Sequence, residues 1–296
     1  MFRIGLFLLT NIAIIAVASI VLGLLGIGSH ITEAGLDIRS LLIFCLIYGM
    51  LASLISLLLS KTIAKWTTKT KIIKNPSNPM ETWLINEVRQ MSDKAGIDMP
   101  EVGIFPMEQA NAFATGWNKN KALVAVSTGM LERFEKDEIK AVMGHEIGHV
   151  ANGDMVTLAL IQGVLNAFVM FFARIIAYAV DKIVFRTERG VGIVYYVVTF
   201  VMQIVLGILA SMIVMWFSRR REFHADHAGA QLAGTAGMIA ALERLRIESG
   251  MPDQMPEAMN AFGISSGRRF GLQALLRSHP PLEERINALR SGSIPK

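Results

Sequence analysis

Two histidines four residues apart, with a glutamate directly after the first, make up the run His145-Glu146-Ile147-Gly148-His149. These side chains can hold a divalent metal ion and put it to use. On a helix, positions i and i+4 project from one face, so both imidazoles can bind one ion. Glu146 points to one side of them and is free to act as a base on water beside that ion. A catalytic zinc takes three protein ligands and keeps a position for water, so a third ligand must come from elsewhere in the chain. The stretch Arg221-Glu222-Phe223-His224-Ala225-Asp226-His227 offers Glu222, His224 and His227. Glu222 is the preferred ligand, because that choice alone gives Asp226 a task one turn further on. Asp226 can then accept a hydrogen bond from the outer N–H of a ligating histidine and fix its tautomer. Cys45 is the only cysteine, so no disulfide can form within the chain and no cysteine cluster offers a rival metal site.

The elements that must position these residues can be read from their periodicity. From Phe134 to Asp154 the chain has acidic residues first, then an apolar stripe of Ile139, Val142, Met143, Ile147 and Val150, then Asn-Gly-Asp. This predicts an amphipathic helix over about 135–151 that carries both histidines. Upstream, Ser77 or Asn78 as a cap, Pro79, a spaced apolar set (Met80, Trp83, Leu84, Val88) and Gly96 as a stop predict a helix over 79–95. Runs 101–105, 111–117 and 122–128 are rich in β-branched and aromatic residues, with Asn118–Lys121 as a turn, and predict a small antiparallel sheet. The chain from Ser218 has a strong helical pattern. Residues 249–271, rich in Gly, Met, Pro and Ser, predict a long loop that serves as a lid or a plain connector. Ser278 caps a final helix, with His279 ahead of two prolines.

The composition is 52% hydrophobic, too apolar for an ordinary soluble fold, and the excess is concentrated in four stretches. Ile4–Ile27, Ser40–Ser60, Met155–Val180 and Gly192–Phe217 each reach the roughly 20 residues that cross a bilayer as a helix. Arg174 interrupts the third, where a charge is costly unless it finds a partner or a polar cavity. Ile4–Ile27 reads as a retained anchor, its apolar run being longer than that of a signal peptide. The expected organisation is two transmembrane helices in 1–60, a first part of the catalytic domain with the histidine helix in 61–154, a second hydrophobic pair in 155–217 and a second catalytic part in 218–296. Two crossings separate His145 from Glu222, so both fall on one side of the membrane. The net charge of +5 does not imply nucleic acid, because the basic residues sit beside the spans without aromatic interleaving. Lys61, Lys65, Lys69, Lys71 and Lys74 follow the second span, and Arg219, Arg220 and Arg221 follow the fourth, which places both polar blocks in the cytoplasm. Lys182, Arg186 and Arg189 run against that rule locally. The charges from Glu132 to Lys140 oppose burial of the histidine motif in lipid.

The histidine motif preceded by DEIKAV (137–142), with REFHAD (221–226), NAFATG (111–116) and the closing HPPLEERI (279–286), resembles the HtpX-type heat-shock membrane zinc metalloproteases, relatives of the Ste24-type CAAX prenyl proteases. The resemblance covers nearly the whole chain, including the order of the four hydrophobic segments. It implies a multi-pass endopeptidase of the bacterial inner membrane that acts in quality control of misfolded or damaged membrane proteins under heat or envelope stress. It places zinc ligands on His145, His149 and Glu222 and the catalytic glutamate on Glu146.

Together these readings predict an α-helical integral membrane protein with a cytoplasmic, mainly α, zincin-like metalloprotease domain carrying the small antiparallel sheet. The cofactor is one Zn2+ per chain, and the partners are the lipid bilayer and unfolded or misfolded membrane proteins. No feature of the sequence sets an oligomeric state. Asn111, Ala112, Phe113 and Ala114 are expected to form an exposed sheet edge to which a substrate strand adds. Asn111 either helps to hold the tetrahedral intermediate or is an ordinary turn residue. His279 either stabilises the developing oxyanion or starts a helix. The alternative is a non-catalytic metal-binding scaffold or transporter, which has no need of Glu146.

Overall fold

The computed structural model describes residues 16–17, 19–24, 31–32, 35–188, 190–248 and 279–293. In chain order the elements are β1 (Ile31–Thr32), β2 (Gly35–Leu36), α1 (Ile38–Thr68), β3 (Lys71–Ile72), α2 (Pro79–Ala95), β4 (Glu101–Phe105), β5 (Ala112–Thr115), β6 (Leu123–Ser127), α3 (Thr128–Arg133), α4 (Lys136–Asn152), α5 (Asp154–Ala179), α6 (Ile193–Ala233), α7 (Thr235–Glu248) and α8 (Leu282–Ser291). They form two compact units, one of Met1–Ser56 with Leu158–Val214, the other of Leu57–Thr157 with Met215–Lys296.

In the first unit, among the described residues, α1, α5 with its π-helical extension Val180–Val184, and α6 are each long and apolar enough to cross a membrane. The expected span Ile4–Ile27 lies largely outside the described residues, of which 16–17 and 19–24 are helical. The helices α1 and α5 meet through glycine. A Cβ on Gly49 would stand 2.7 Å from the Gly163 carbonyl oxygen, so only hydrogen lets the two backbones come this close. The Ser53 hydroxyl donates to the Ala159 carbonyl at the same crossing. Buried Asp181 ties the connection between α5 and α6, accepting from Thr187 Oγ1 at 3.0 Å and from the Gly192 N–H at 3.1 Å. With 41 residues, α6 is about 60 Å long, roughly twice the hydrocarbon thickness. Its apolar first part lies in the first unit, and its last turns, which carry Glu222 and Asp226, lie in the second.

The second unit is built around α4. Asn78 caps α2 by accepting from the Glu81 N–H at 2.8 Å, Pro79 occupies the first turn, and Gly96 ends the helix at φ 66°. The apolar stripe of α4 is fully buried against Leu84, Val88 and Met91 of α2, Val124 and Val126 of β6, and Met238, Leu242 and Leu245 of α7. Burial extends beyond the stripe, from Ala141 through Gly148, so α4 runs through the interior rather than along a surface as an amphipathic helix does. Gly153, at φ 69°, ends α4 and turns the chain directly into α5.

The sheet is mixed and four-stranded, in the order β3-β4-β6-β5, which corrects the expected antiparallel arrangement. The hairpin β5–β6 and the pair β3–β4 are antiparallel, but β4 and β6 run parallel, with Glu101 opposite Leu123 and Phe105 opposite Ser127. The linker after β4 does not fold back beside it, because its backbone is satisfied at the far end of β6. Thr128 Oγ1 donates to the Met107 carbonyl, the Gly129 N–H donates to the same carbonyl at 2.9 Å, and the Asn111 N–H donates to Ser127 Oγ at 2.9 Å. This leaves β5 on the outer edge. Its side chains are buried, and among the described residues no further strand lies beyond it.

Two helices approach closely enough to bring separate chain segments to one site. A Cβ on Gly148 would lie 2.8 Å from the Ala228 Cβ, and one on Gly229 would lie 3.0 Å from the His145 backbone nitrogen. Gly148→Ala is therefore expected to force α4 and α6 apart at a cost of about 1–3 kcal/mol. Thermal unfolding and metal content of the purified variant measure it, both falling below those of the parent chain.

Candidate metal centre

Because α4 and α6 touch through glycine and alanine, the ring nitrogens of α4 face the carboxylates of α6. His145 Nε2 and His149 Nε2 stand 3.1 Å apart, and Glu222 reaches both, with Oε1 3.2 Å from His149 Nε2 and Oε2 3.7 Å from His145 Nε2. One ligand atom from each of the three residues lies within 4.8 Å of the others. The two rivals for the third position lie elsewhere: His224 is exposed, and His227 Nε2 meets the Gln231 side chain at 3.1 Å.

The outer nitrogens are held by acids. His145 Nδ1 lies 2.9 Å from Asp226 Oδ1, the contact expected of Asp226. His149 Nδ1 lies 2.6 Å from Asp154 Oδ2. Each carboxylate accepts a hydrogen bond from Nδ1–H, which orients the ring with Nε2 turned inward. Burial holds the His145 ring below the usual histidine range, against the pull of Asp226. Burial also disfavours a charged His149, but the carboxylates of Asp154 and Glu222 outweigh it and push the pKa up to about 10. The site thus favours positive charge at the point where the three ligand atoms converge. Glu222 Oε2 is buried there without a hydrogen bond of good geometry. Two inward imidazole nitrogens and a carboxylate oxygen match the donor set of a zinc-type cation, so the residues present fit a metal ion.

Glu146 follows His145 and is buried with it. Burial raises its carboxyl to about 7, the nearby His149 charge working in the other direction. Its carboxylate accepts a hydrogen bond from the Ala114 backbone N–H of β5. The Ala112 N–H is taken by Asn111 Oδ1 at 2.9 Å, so both alternate N–H groups of β5 turn away from β6 and along the free edge. Asn111 and Phe113 are fully buried.

Two groups that sequence reasoning missed complete the centre. Arg285 of α8 is fully buried and forks onto Asp226, Nε to Oδ2 at 2.7 Å and Nη2 to Oδ1 at 2.6 Å, while Nη1 lies 3.2 Å from Glu222 Oε2. Asp154, which opens α5, is the second. Arg285 stood in the closing HPPLEERI run as one charge among several, and Asp154 stood as a helix stop. The same run delivers His279, whose Nδ1 lies 2.6 Å from Glu222 Oε2.

Comparison with known proteins agrees with this geometry. Residues 79–293 match Peptidase family M48. A protein named Protease HtpX from Pseudomonas putida is 63% identical over 292 residues, covering 98% of this chain and 99% of its own. Another of that name from Hahella chejuensis is 62% identical, covering 99% of this chain and all of its own. Among solved structures, S. mikatae Ste24p superposes with a TM-score of 0.61 at 18% identity, covering 86% of this chain, while this chain spans 58% of that one, a likeness of fold alone. With the apolar helices α1, α5 and α6 and a buried His-His-Glu group in the matched region, the chain belongs to the HtpX proteases of peptidase family M48, membrane metalloproteases.

Proposed function

We propose that this chain is a zinc-dependent endopeptidase that cleaves misfolded or damaged membrane proteins on the cytoplasmic side of the bacterial inner membrane. The convergence of His145, His149 and Glu222 beside the buried Glu146 carries that reading. One zinc per chain is held by the three ligands, and Asp226 and Asp154 orient the two rings. The catalytic domain consists of 61–154 with 218–296. When bound, the ion supplies a Lewis acid and brings the pKa of water in contact with it towards about 7.

The remaining steps belong to the protein's own groups. Glu146, buried beside the three ligands, is placed to hold the proton of the attacking water and return it to the leaving amine. The Ala114 N–H holds the carboxylate in place until a substrate strand arrives. His279 faces Glu222 and is placed to donate to charge developing on the scissile carbonyl oxygen. A substrate strand that adds to β5 pairs with Ala112 and Ala114, taking the places of Asn111 Oδ1 and the Glu146 carboxylate as partners. Asn111, freed by that exchange, faces the bound chain. The cytoplasmic side is supported by the lysines that follow the second span and by Arg219–Arg221.

Purified protein is expected to contain one zinc and to cleave casein, and a chelator should abolish cleavage until zinc is returned. Bound metal without cleavage would favour a scaffold or transporter. Glu222→Ala should lower metal content sharply. Unchanged content would transfer the ligand role to His224 or His227.

A further inference from the structure

Arg174 is the one strongly basic side chain within the apolar run of α5, and the first unit has a cavity around it. A cleft of about 520 Å3 lies between Tyr48 and Gly49 of α1, Asn166, Met170 and Arg174 of α5, and Gln203 of α6. Arg174 Nη1 donates to the Met170 carbonyl one turn back at 3.1 Å, and its guanidinium lies 5.5 Å from the Phe44 ring centre. Neither contact neutralises it. Among the described residues no carboxylate forms an ion pair with Arg174, and residues 1–30 contain no Asp or Glu. A cation within an apolar span, with no carboxylate paired to it among the described residues, marks a candidate site for an anion.

The amides say what kind of anion. Asn166 stands twelve residues into α5 and Gln203 ten into α6, about 18 and 15 Å from the helix ends, near the middle of a bilayer about 30 Å thick. A lipid phosphate drawn to Arg174 leaves both amides facing acyl chains. A polypeptide helix in the bilayer supplies both a charge and further hydrogen-bonding groups at these depths. We propose that this cavity receives an acidic side chain carried by a transmembrane helix of a protein substrate, with Arg174 as counter-ion and Asn166 and Gln203 as hydrogen-bonding partners. This rests on the reading of the chain as a protease of membrane proteins and adds how such substrates are chosen: an acid stranded in lipid is a mark of a helix that has lost its own partner. Holding that helix keeps its adjoining polar chain on the enzyme at a high effective concentration.

The test uses the full-length chain with Glu146→Gln, reconstituted in phosphatidylethanolamine vesicles with a single-span helix that carries either Glu or Leu at mid-span. Cross-linking should capture the Glu helix about tenfold more than the Leu helix. Arg174→Leu should erase the preference while melting temperature and metal content stay as in the parent, and Arg174→Lys should keep part of it. If Arg174→Leu melts early, the pair Asn166→Leu with Gln203→Leu is read in its place, and it should also weaken the preference. Equal capture of the two helices, or a preference that survives Arg174→Leu, overturns the proposal. A preference that vanishes on adding phosphatidylglycerol to the vesicles assigns the cavity to lipid phosphate and also overturns it. Casein cleavage by the unmutated chain is scored separately: its absence, with the helix preference intact, would sink the proteolytic reading and leave the cavity's ligand standing.

Discussion

Glu146→Gln is expected to bind metal as the parent chain does and to cleave an unfolded protein about 10²–10⁴-fold more slowly. Glutamine keeps the volume of the side chain and an oxygen that can accept from the Ala114 N–H, so α4 and β5 should remain packed. What it lacks is a site for the proton. The ligands are untouched, since His145 and His149 are held by Asp226 and Asp154 rather than by Glu146. Metal analysis and turnover measured on one preparation separate the two contributions: metal retained with cleavage lost assigns the base, whereas metal retained with cleavage intact removes Glu146 from the reaction. Glu146→Asp, shorter by one methylene, withdraws the carboxylate from the water while keeping its charge, and should fall between the two.

The part of the centre that was legible from sequence is the part in which function imposes a spacing. His145 and His149 must share a helical face, and so must Glu222 and Asp226, so both pairs appear four apart. The helix boundaries at Asn78, Gly96 and Gly153 were legible for a similar reason, since caps and positive-φ positions demand particular residues. Strand order carries no such mark. Alternation identifies β4, β5 and β6, but whether β5 lies between or outside its neighbours depends on where the linker's backbone finds partners, and Thr128 and Gly129 lie more than twenty residues away from β4 in sequence. Gly144 and Gly148 carry no mark of their task in the sequence, and in the fold they admit α6. Asp154 and Arg285 were missed because a single charge at a helix end usually faces water, and only tertiary contact reveals that these two are buried against the ligands. Arg174 was visible in sequence as an unexplained cost, and the cavity gives that cost a use.

Arg285→Met is expected to be the most destabilising single change among these groups. Arg285 is fully buried and contacts both Asp226 and Glu222, through 2.6 and 2.7 Å bonds to the first and a 3.2 Å approach to the second. Methionine fills a similar length with an apolar chain and leaves two buried carboxylates one turn apart on the same face of α6. Removing one partner of a buried ion pair typically costs about 3–5 kcal/mol, because the remaining charge keeps its desolvation penalty and loses its compensation. A metal ion between His145, His149 and Glu222 restores part of the missing positive charge. The loss should therefore be smaller in the metal-loaded protein and grow when a chelator is added, whereas a purely packing role for Arg285 would lower the melting temperature equally in both. Asp226→Asn added to Arg285→Met removes one stranded charge and should recover part of the stability. It should not recover full metal affinity, since His145 Nδ1 then loses the anionic acceptor that fixes its tautomer. Melting of the single and double variants with and without chelator, alongside metal content, tests the whole chain of contacts from α8 through α6 to the rings of α4.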